Sequence, residues 1–198
     1  MPHVSDRVRN PFDTRHPCDA VPGYGYADAD FHVVGDNPRR HGGVDTGVPF
    51  TASEAGEAVQ DVLHEARLVV EKGDEPVVDD VYLNYLYPCV DEPTEDDYNA
   101  LERYFDAELR AVNAHVLVGV GERASRHLVD VYTTLGSKLG DCPIEQLHAD
   151  EIRGSGFLVV PLREPTDWTE EDRRRAVARL QDIRGRDYRQ TKGVPTKM

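Results

Sequence analysis

The 198-residue sequence has little cysteine, little lysine and no long apolar run. Its three cysteines are an odd number, and the start, MPHVSDRVRN, has no apolar stretch. Together these exclude a disulfide framework and give no secretory signal, so a cytoplasmic location is expected. The longest apolar runs, around 115–120 and 157–160, are strand-sized and far too short to cross a bilayer, so no membrane is expected as a partner. Neither G-x-G-x-x-G nor G-x-x-x-x-G-K-[ST] occurs, which excludes the two commonest phosphate-cradling loops. Internal repeats and low-complexity tracts are also absent, and the length favours one domain over 1–198.

What is abundant is acid. There are 37 acidic against 23 basic residues, a net charge of −14, and only four of the basic residues are lysines. Excess carboxylate with scarce lysine suits a surface bathed in molar salt, where the Debye length shrinks to about 3 Å and self-repulsion is screened. A salt-adapted source is the expectation. With charged residues at 30% and hydrophobic ones at 39%, the composition is that of a folded globular chain.

Residues 1–29 carry Pro2, Pro11, Pro17, Pro22, Gly23 and Gly25 without a period and predict an irregular N-terminal arm. Four runs rich in Val, Leu and Tyr follow, at 31–35, 77–86, 115–120 and 156–162, and read as buried strands. Between them lie amphipathic segments with helix-start signals. Thr51 and Glu54 read as a capping box opening a helix to about residue 70. Thr94 and Asp97 open a second, with Leu101, Phe105 and Leu109 on one face. A third runs over about 122–132, and Thr169 with Asp172 opens the last. Strand–helix alternation with no hairpin signal predicts a three-layer α/β/α sandwich around a central, mainly parallel four-stranded sheet. Ligands of such sheets sit at the carboxyl ends of the strands. That places a site in the loops after Gly35, Leu83, Val120 and Val160.

The first of those loops, 35–51, is long, glycine-bearing and without structure of its own, which favours function. Arg39 and Arg40 offer charge for phosphates, and Phe50 offers a face for a base. The bland alternatives are a surface loop and a core phenylalanine. Asn84, between Leu83 and Tyr85 in a strand, is hard to explain as core and reads as functional. The segment 173–198 holds nine basic residues against Asp182 and Asp187, and its basic tail over 185–198 suits phosphate contact. Its alternative is a solvated helix face, since Glu170, Glu171 and Asp172 pair well with arginines one turn on.

Four segments resemble the uracil-DNA glycosylase superfamily. The first is Gly35-Asp36-Asn37-Pro38 followed by Gly47-Val48-Pro49-Phe50, like the superfamily's Gly-x-x-Pro and Gly-x-Pro-Phe motifs. The His-Gly-Gly-x-x-Thr-Gly-x-x-Phe-Thr spacing over 41–51 is closest to an iron–sulfur-containing branch. VPGYGYADADFHVVGD, VYLNYLYPC and HVLVGVGERASRHLV resemble the approach to the first strand, the base-reading strand and the strand–helix unit that follows. The likeness spans roughly residues 18–184.

It implies hydrolysis of the N-glycosidic bond of uracil or another altered base after the nucleotide leaves the stack, with DNA as partner and no metal. It puts Asn37 where superfamily members have a water-activating Asp, an Asn or an Ala. An amide there orients water and takes no proton. It puts Asp36 one position earlier, Phe50 at the base-stacking position and Asn84 at the base-reading position, where an amide matches the uracil edge and rejects cytosine. The second motif, His-Pro-Ser, should follow the fourth strand, but residues 161–166 read Pro-Leu-Arg-Glu-Pro-Thr. Glu164 then replaces the catalytic histidine and would repel a departing uracil anion. A one-residue shift would put Arg163 there instead, and His41 is the best substitute donor. Of the four cluster cysteines only Cys18 and Cys89 are present, with Arg15 and Leu101 at the other two positions and Cys142 elsewhere as a buried small residue. Two thiolates do not hold a four-iron cluster, so no cofactor is expected.

Three readings follow: a monofunctional, monomeric DNA glycosylase, a non-catalytic DNA- or nucleotide-binding member of the same fold, and an unrelated α/β nucleotide-binding domain.

Overall fold

The structure is a computed structural model that describes residues 8–139, 143–154 and 156–186. Cys142 and the tail from residue 187 lie outside the described residues.

The strands are β1 (Tyr24–Gly25), β2 (Phe31–Gly35), β3 (Val69–Glu71), β4 (Val77–Val78), β5 (Val81–Tyr85), β6 (Val116–Val120), β7 (Ile152–Arg153) and β8 (Leu158–Leu162). The helices are α1 (Pro38–His41), α2 (Glu54–Glu65), α3 (Glu95–Val112), α4 (Gly121–Tyr132), α5 (Gly136–Leu139) and α6 (Glu170–Gly185). The main sheet has the order β1-β5-β2-β6-β8-β7. Its four inner strands are parallel and its two short edge strands antiparallel. The α/β/α sandwich is therefore as expected, with six strands where four apolar runs were legible. Two-residue edge strands bury too little to leave a run.

Period-two alternation splits the sheet into two faces. Phe31, Val33, Val81, Leu83, Val118 and Val160 pack under α2 and α6, with Val59, Leu63, Leu180 and Ile183. Val34, Leu117 and Val159 pack under α3 and α4, with Phe105, Leu109 and Leu128. Both predicted boxes at Thr94 and Thr169 form, each hydroxyl accepting the amide three residues on while that residue's carboxylate returns the bond. Such a cap stabilises a helix end by about 1 kcal/mol.

Four expectations need correction. The cap of α2 is Ser53, whose side chain accepts from the Gly56 amide, and the helix ends at Glu65. Thr51 instead donates to the Val48 carbonyl at 2.7 Å, because Ala52 takes a positive φ of 51° and turns the chain between them. The 77–86 run is broken at Asp80, φ 58°, into β4 and β5. A hairpin does exist: β3 and β4 pair antiparallel around Gly73, φ 143°. Finally, Cys18 and Cys89 form a disulfide across 71 residues of sequence, with Cα atoms 5.8 Å apart. One bridge needs only two cysteines, so the odd total did not exclude it. It adds to a ladder in which the Val21 amide donates to Pro88 and the Val90 amide to Asp19. The N-terminal arm is thus held against the loop after β5. Among the described residues no helix is long and apolar enough to cross a membrane.

Candidate active site

The carboxyl end of β2 delivers Gly35, Asp36 and Asn37 to one edge of the sheet. A Cβ on Gly35 would lie 2.7 Å from the Tyr85 ring and 2.9 Å from His41 Nδ1, so only glycine lets those rings close in. Asn37 is the N-cap of the single turn α1, its Oδ1 accepting the Arg40 amide at 3.0 Å. Its Nδ2 donates to the Tyr98 hydroxyl at 3.2 Å. That hydroxyl in turn donates to Asp36 Oδ1. Burial first, and then the Asp36 carboxylate, push the Tyr98 hydroxyl above the usual tyrosine range, so it stays a donor. Arg123 Nε at 3.9 Å and Arg40 Nη1 at 4.0 Å flank the same carboxylate. Asp36 and Asn37 are both buried.

His41 is wholly buried in the same cluster. Its Nδ1 accepts the Asp36 backbone amide at 3.0 Å, which leaves Nε2 to donate to Glu164 Oε1 at 3.1 Å. Arg40 Nε donates to the other Glu164 oxygen at 2.8 Å. Burial works against ionisation of Glu164, but the bonds from His41 and Arg40 outweigh it and hold the carboxyl below its usual range. Gly121, at the start of α4, makes room for this pair: a Cβ there would lie 2.9 Å from Glu164 Oε2. Its φ of +81° also suits glycine.

Phe50 lies on the far side of His41, with ring centroids 6.0 Å apart and planes 25° apart. The Tyr85 ring is 5.2 Å away on another side, and Phe50 has no exposed surface. Its backbone is pinned as well, the amide donating to the Tyr85 hydroxyl at 2.8 Å and the carbonyl accepting from Gln60 at 2.7 Å. An imidazole thus occupies the neighbourhood a stacked base would need.

Asn84 lies elsewhere. It faces α3, where its Oδ1 is 2.8 Å from His32 Nε2 and its Nδ2 donates to Glu108 Oε2 at 3.0 Å. The Tyr82 hydroxyl donates to the same oxygen at 2.9 Å. Burial pushes His32 down to about 4, so its ring is neutral and Nε2–H is the donor to Asn84. Both polar atoms of the Asn84 amide are engaged within the sheet–helix interface. Phe50 and Asn84 therefore belong to opposite faces of the sheet.

The remaining candidates are spread out. Arg39 is half-exposed beside the site, donating to the Val90 carbonyl at 2.7 Å, with Glu92 3.8 Å away. Arg163 turns to α6, its Nη1 3.2 Å from both Asp172 oxygens. The basic segment is neutralised over its described part. Arg173 pairs with Asp61, Arg174 with Glu171, Arg175 with Asp150, Arg179 and Arg186 with Glu151, and Arg184 with Asp79.

Sequence reasoning missed Tyr98 and Arg123. A signal existed for the second. Arg123 sits in the first turn of α4, where the helix dipole disfavours a cation, so it needs carboxylate partners; Asp36 and Glu95 are those partners.

The family model of the uracil DNA glycosylase superfamily matches residues 22–181, from the arm to the last helix. No curated protein matches the chain. Four-fifths of the sequence lies within that match, and the chain belongs to the uracil-DNA glycosylase superfamily.

Proposed function

We propose that this chain acts on DNA in base-excision repair, hydrolysing the N-glycosidic bond of an altered base other than uracil. Asp36 supports this reading above all. It is a buried carboxylate at the carboxyl end of the first inner strand, hydrogen-bonded by Tyr98 and flanked by two guanidiniums. A carboxylate there directs a water at the sugar carbon, and Asn37 keeps the loop that carries it in place. Arg39 and Arg40 at the rim are the phosphate contacts. Uracil is disfavoured because Asn84 is spent on His32 and Glu108, Phe50 is covered by His41, and the Glu164 carboxylate would face a departing anion. The protein needs no cofactor in this reading and works as a monomer at high salt.

A second reading, recognition without hydrolysis, is favoured by one observation. Both nitrogens of His41 are satisfied inside the cluster, so the face of Phe50 has no opening.

Excision from labelled oligonucleotides in molar KCl separates the two. The panel holds uracil opposite A and G, single-stranded uracil, hypoxanthine and an alkylated purine. Abasic product from a purine lesion is expected, falling about a hundredfold in Asp36→Asn, the usual scale for a lost catalytic group. Asn37→Ala is expected to lose less. Binding with no product on any substrate establishes the second reading.

A further inference from the structure

A separate cleft of about 520 Å³ opens between α3 and α4, floored by Leu86 and Phe105. Two bridges join its helices. At one, Arg123 pairs with Glu95 and lays its guanidinium 4.2 Å from the centre of the Tyr98 ring. At the other, the Tyr132 hydroxyl donates to Asp106 at 3.0 Å. Tyr98 and Arg123 are also the residues that hold Asp36, so one wall of the cleft is shared with the site above.

Between the bridges some polar groups are unspent. Glu102 and Asp130, on facing helices, have no hydrogen bond or ion pair among the described residues. His127 Nε2 is buried there without a partner. Burial, which outweighs the pull of Glu102, Asp106 and Asp130, holds this imidazole below its usual range. Four carboxylates, Glu95, Glu102, Glu122 and Asp130, line the cleft against Arg123 and Arg126, and both arginines are already paired.

This chemistry selects a class of ligand. A phosphate is repelled by the surplus acid. A flat ring is favoured by the Tyr98–Arg123 stack, since guanidinium planes and aromatic faces both stack on bases. Free carboxylates accept from exocyclic amino and ring N–H groups, whereas the two carbonyls of uracil or thymine would face them unfavourably. We propose that the α3/α4 cleft is a base-binding site for an amino-bearing purine unstacked from a DNA strand. The base continues the Tyr98–Arg123 stack, and Glu102 and Asp130 accept its donors.

The proposal rests on the reading that this chain handles an unstacked base, yet binding does not require hydrolysis. The test titrates the full chain into 2-aminopurine riboside in molar KCl, where attraction of simple cations is screened. Saturable quenching is expected, reversed by guanosine and adenosine and not by uridine, thymidine or spermine. Glu102→Gln with Asp130→Asn should weaken binding about tenfold or more, as loss of charge-assisted bonds does. Both residues are exposed, and a melting curve checks that the double variant folds. Absence of saturable quenching, equal displacement by uridine, displacement by spermine, or unchanged affinity in the double variant each overturns the proposal. Excision or DNA binding that persists without purine binding sinks the cleft alone. Purine binding without DNA binding sinks the wider functional reading alone.

Discussion

Two polar clusters lie about one strand apart and differ in kind. The cluster at the end of β2, with Asp36, Asn37, His41, Tyr98 and Glu164, sits where backbone leaves the sheet, and each of these side chains has a partner. The cluster under α3, with His32, Tyr82, Asn84 and Glu108, lies within the sheet–helix interface and leaves His32 Nδ1 and Glu108 Oε1 unpaired. Polar residues in a strand are a sign of function only when the strand has ended. Asn84, still inside β5, is a fixture of the core, and its removal reads as lost stability.

The largest effect expected tests what backs the first cluster. Cys18 and Cys89 pack with Tyr87, Leu101 and Tyr98, the residue that holds Asp36. Closing a loop across 71 residues stabilises by about 4 kcal/mol on the chain-entropy account. Reduction, or Cys18→Ser, should lower the urea midpoint accordingly; an unchanged midpoint removes the bridge from the account.

Next, Glu108→Ala strands the Tyr82 hydroxyl and the Asn84 amide and should cost about 3 kcal/mol. DNA binding per folded molecule should be unaffected. If binding fell while the melt was normal, the second cluster would be functional after all.

His41→Ala should cost about 2 kcal/mol by opening a cavity and removing one of the two donors to Glu164. Free imidazole should restore part of it, because the slot keeps the Asp36 amide as donor and Glu164 as acceptor. A melt insensitive to imidazole would show the space collapsed.

The smallest effect serves as a control outside both clusters. Burial opposes ionisation of Asp172, but the Thr169 amide and hydroxyl and then Arg163 win and pull its carboxyl from 3.8 down to about 2. A depressed carboxyl stabilises above its unfolded value and loses that contribution as pH falls through the folded one. Asp172→Asn should therefore be less stable by about 1 kcal/mol near neutrality, converging with the parent between pH 4 and 2. A constant difference down to pH 2 would assign the loss to geometry.

The layers, the inner strands and two capping boxes were legible because each is written in local periodicity or in residues three apart. The partners that decided the candidate site were not. Asn84 takes Glu108, 24 residues on, and His41 takes Glu164, 123 residues on. Nothing near Asn84 in sequence announces that an α3 carboxylate will reach it. Phe50 was identified by residue type, but its positive φ of 59° and the imidazole beside it arise only when the loop closes. The arginines of α6 illustrate the opposite error: a dense run of one charge looked like a DNA surface, yet its counter-ions arrive from α2, the β4–β5 turn and the segment before β7.

The bridge between Cys18 and Cys89 also makes a covalent ring of the chain between them. That ring contains the exposed loop tip at Val44 and Asp45. A protease that nicks the tip cannot release a fragment. The two pieces stay joined, migrate as one on a non-reducing gel and separate only when a thiol is added. Damage at the mouth of the site is thereby kept from becoming loss of the arm.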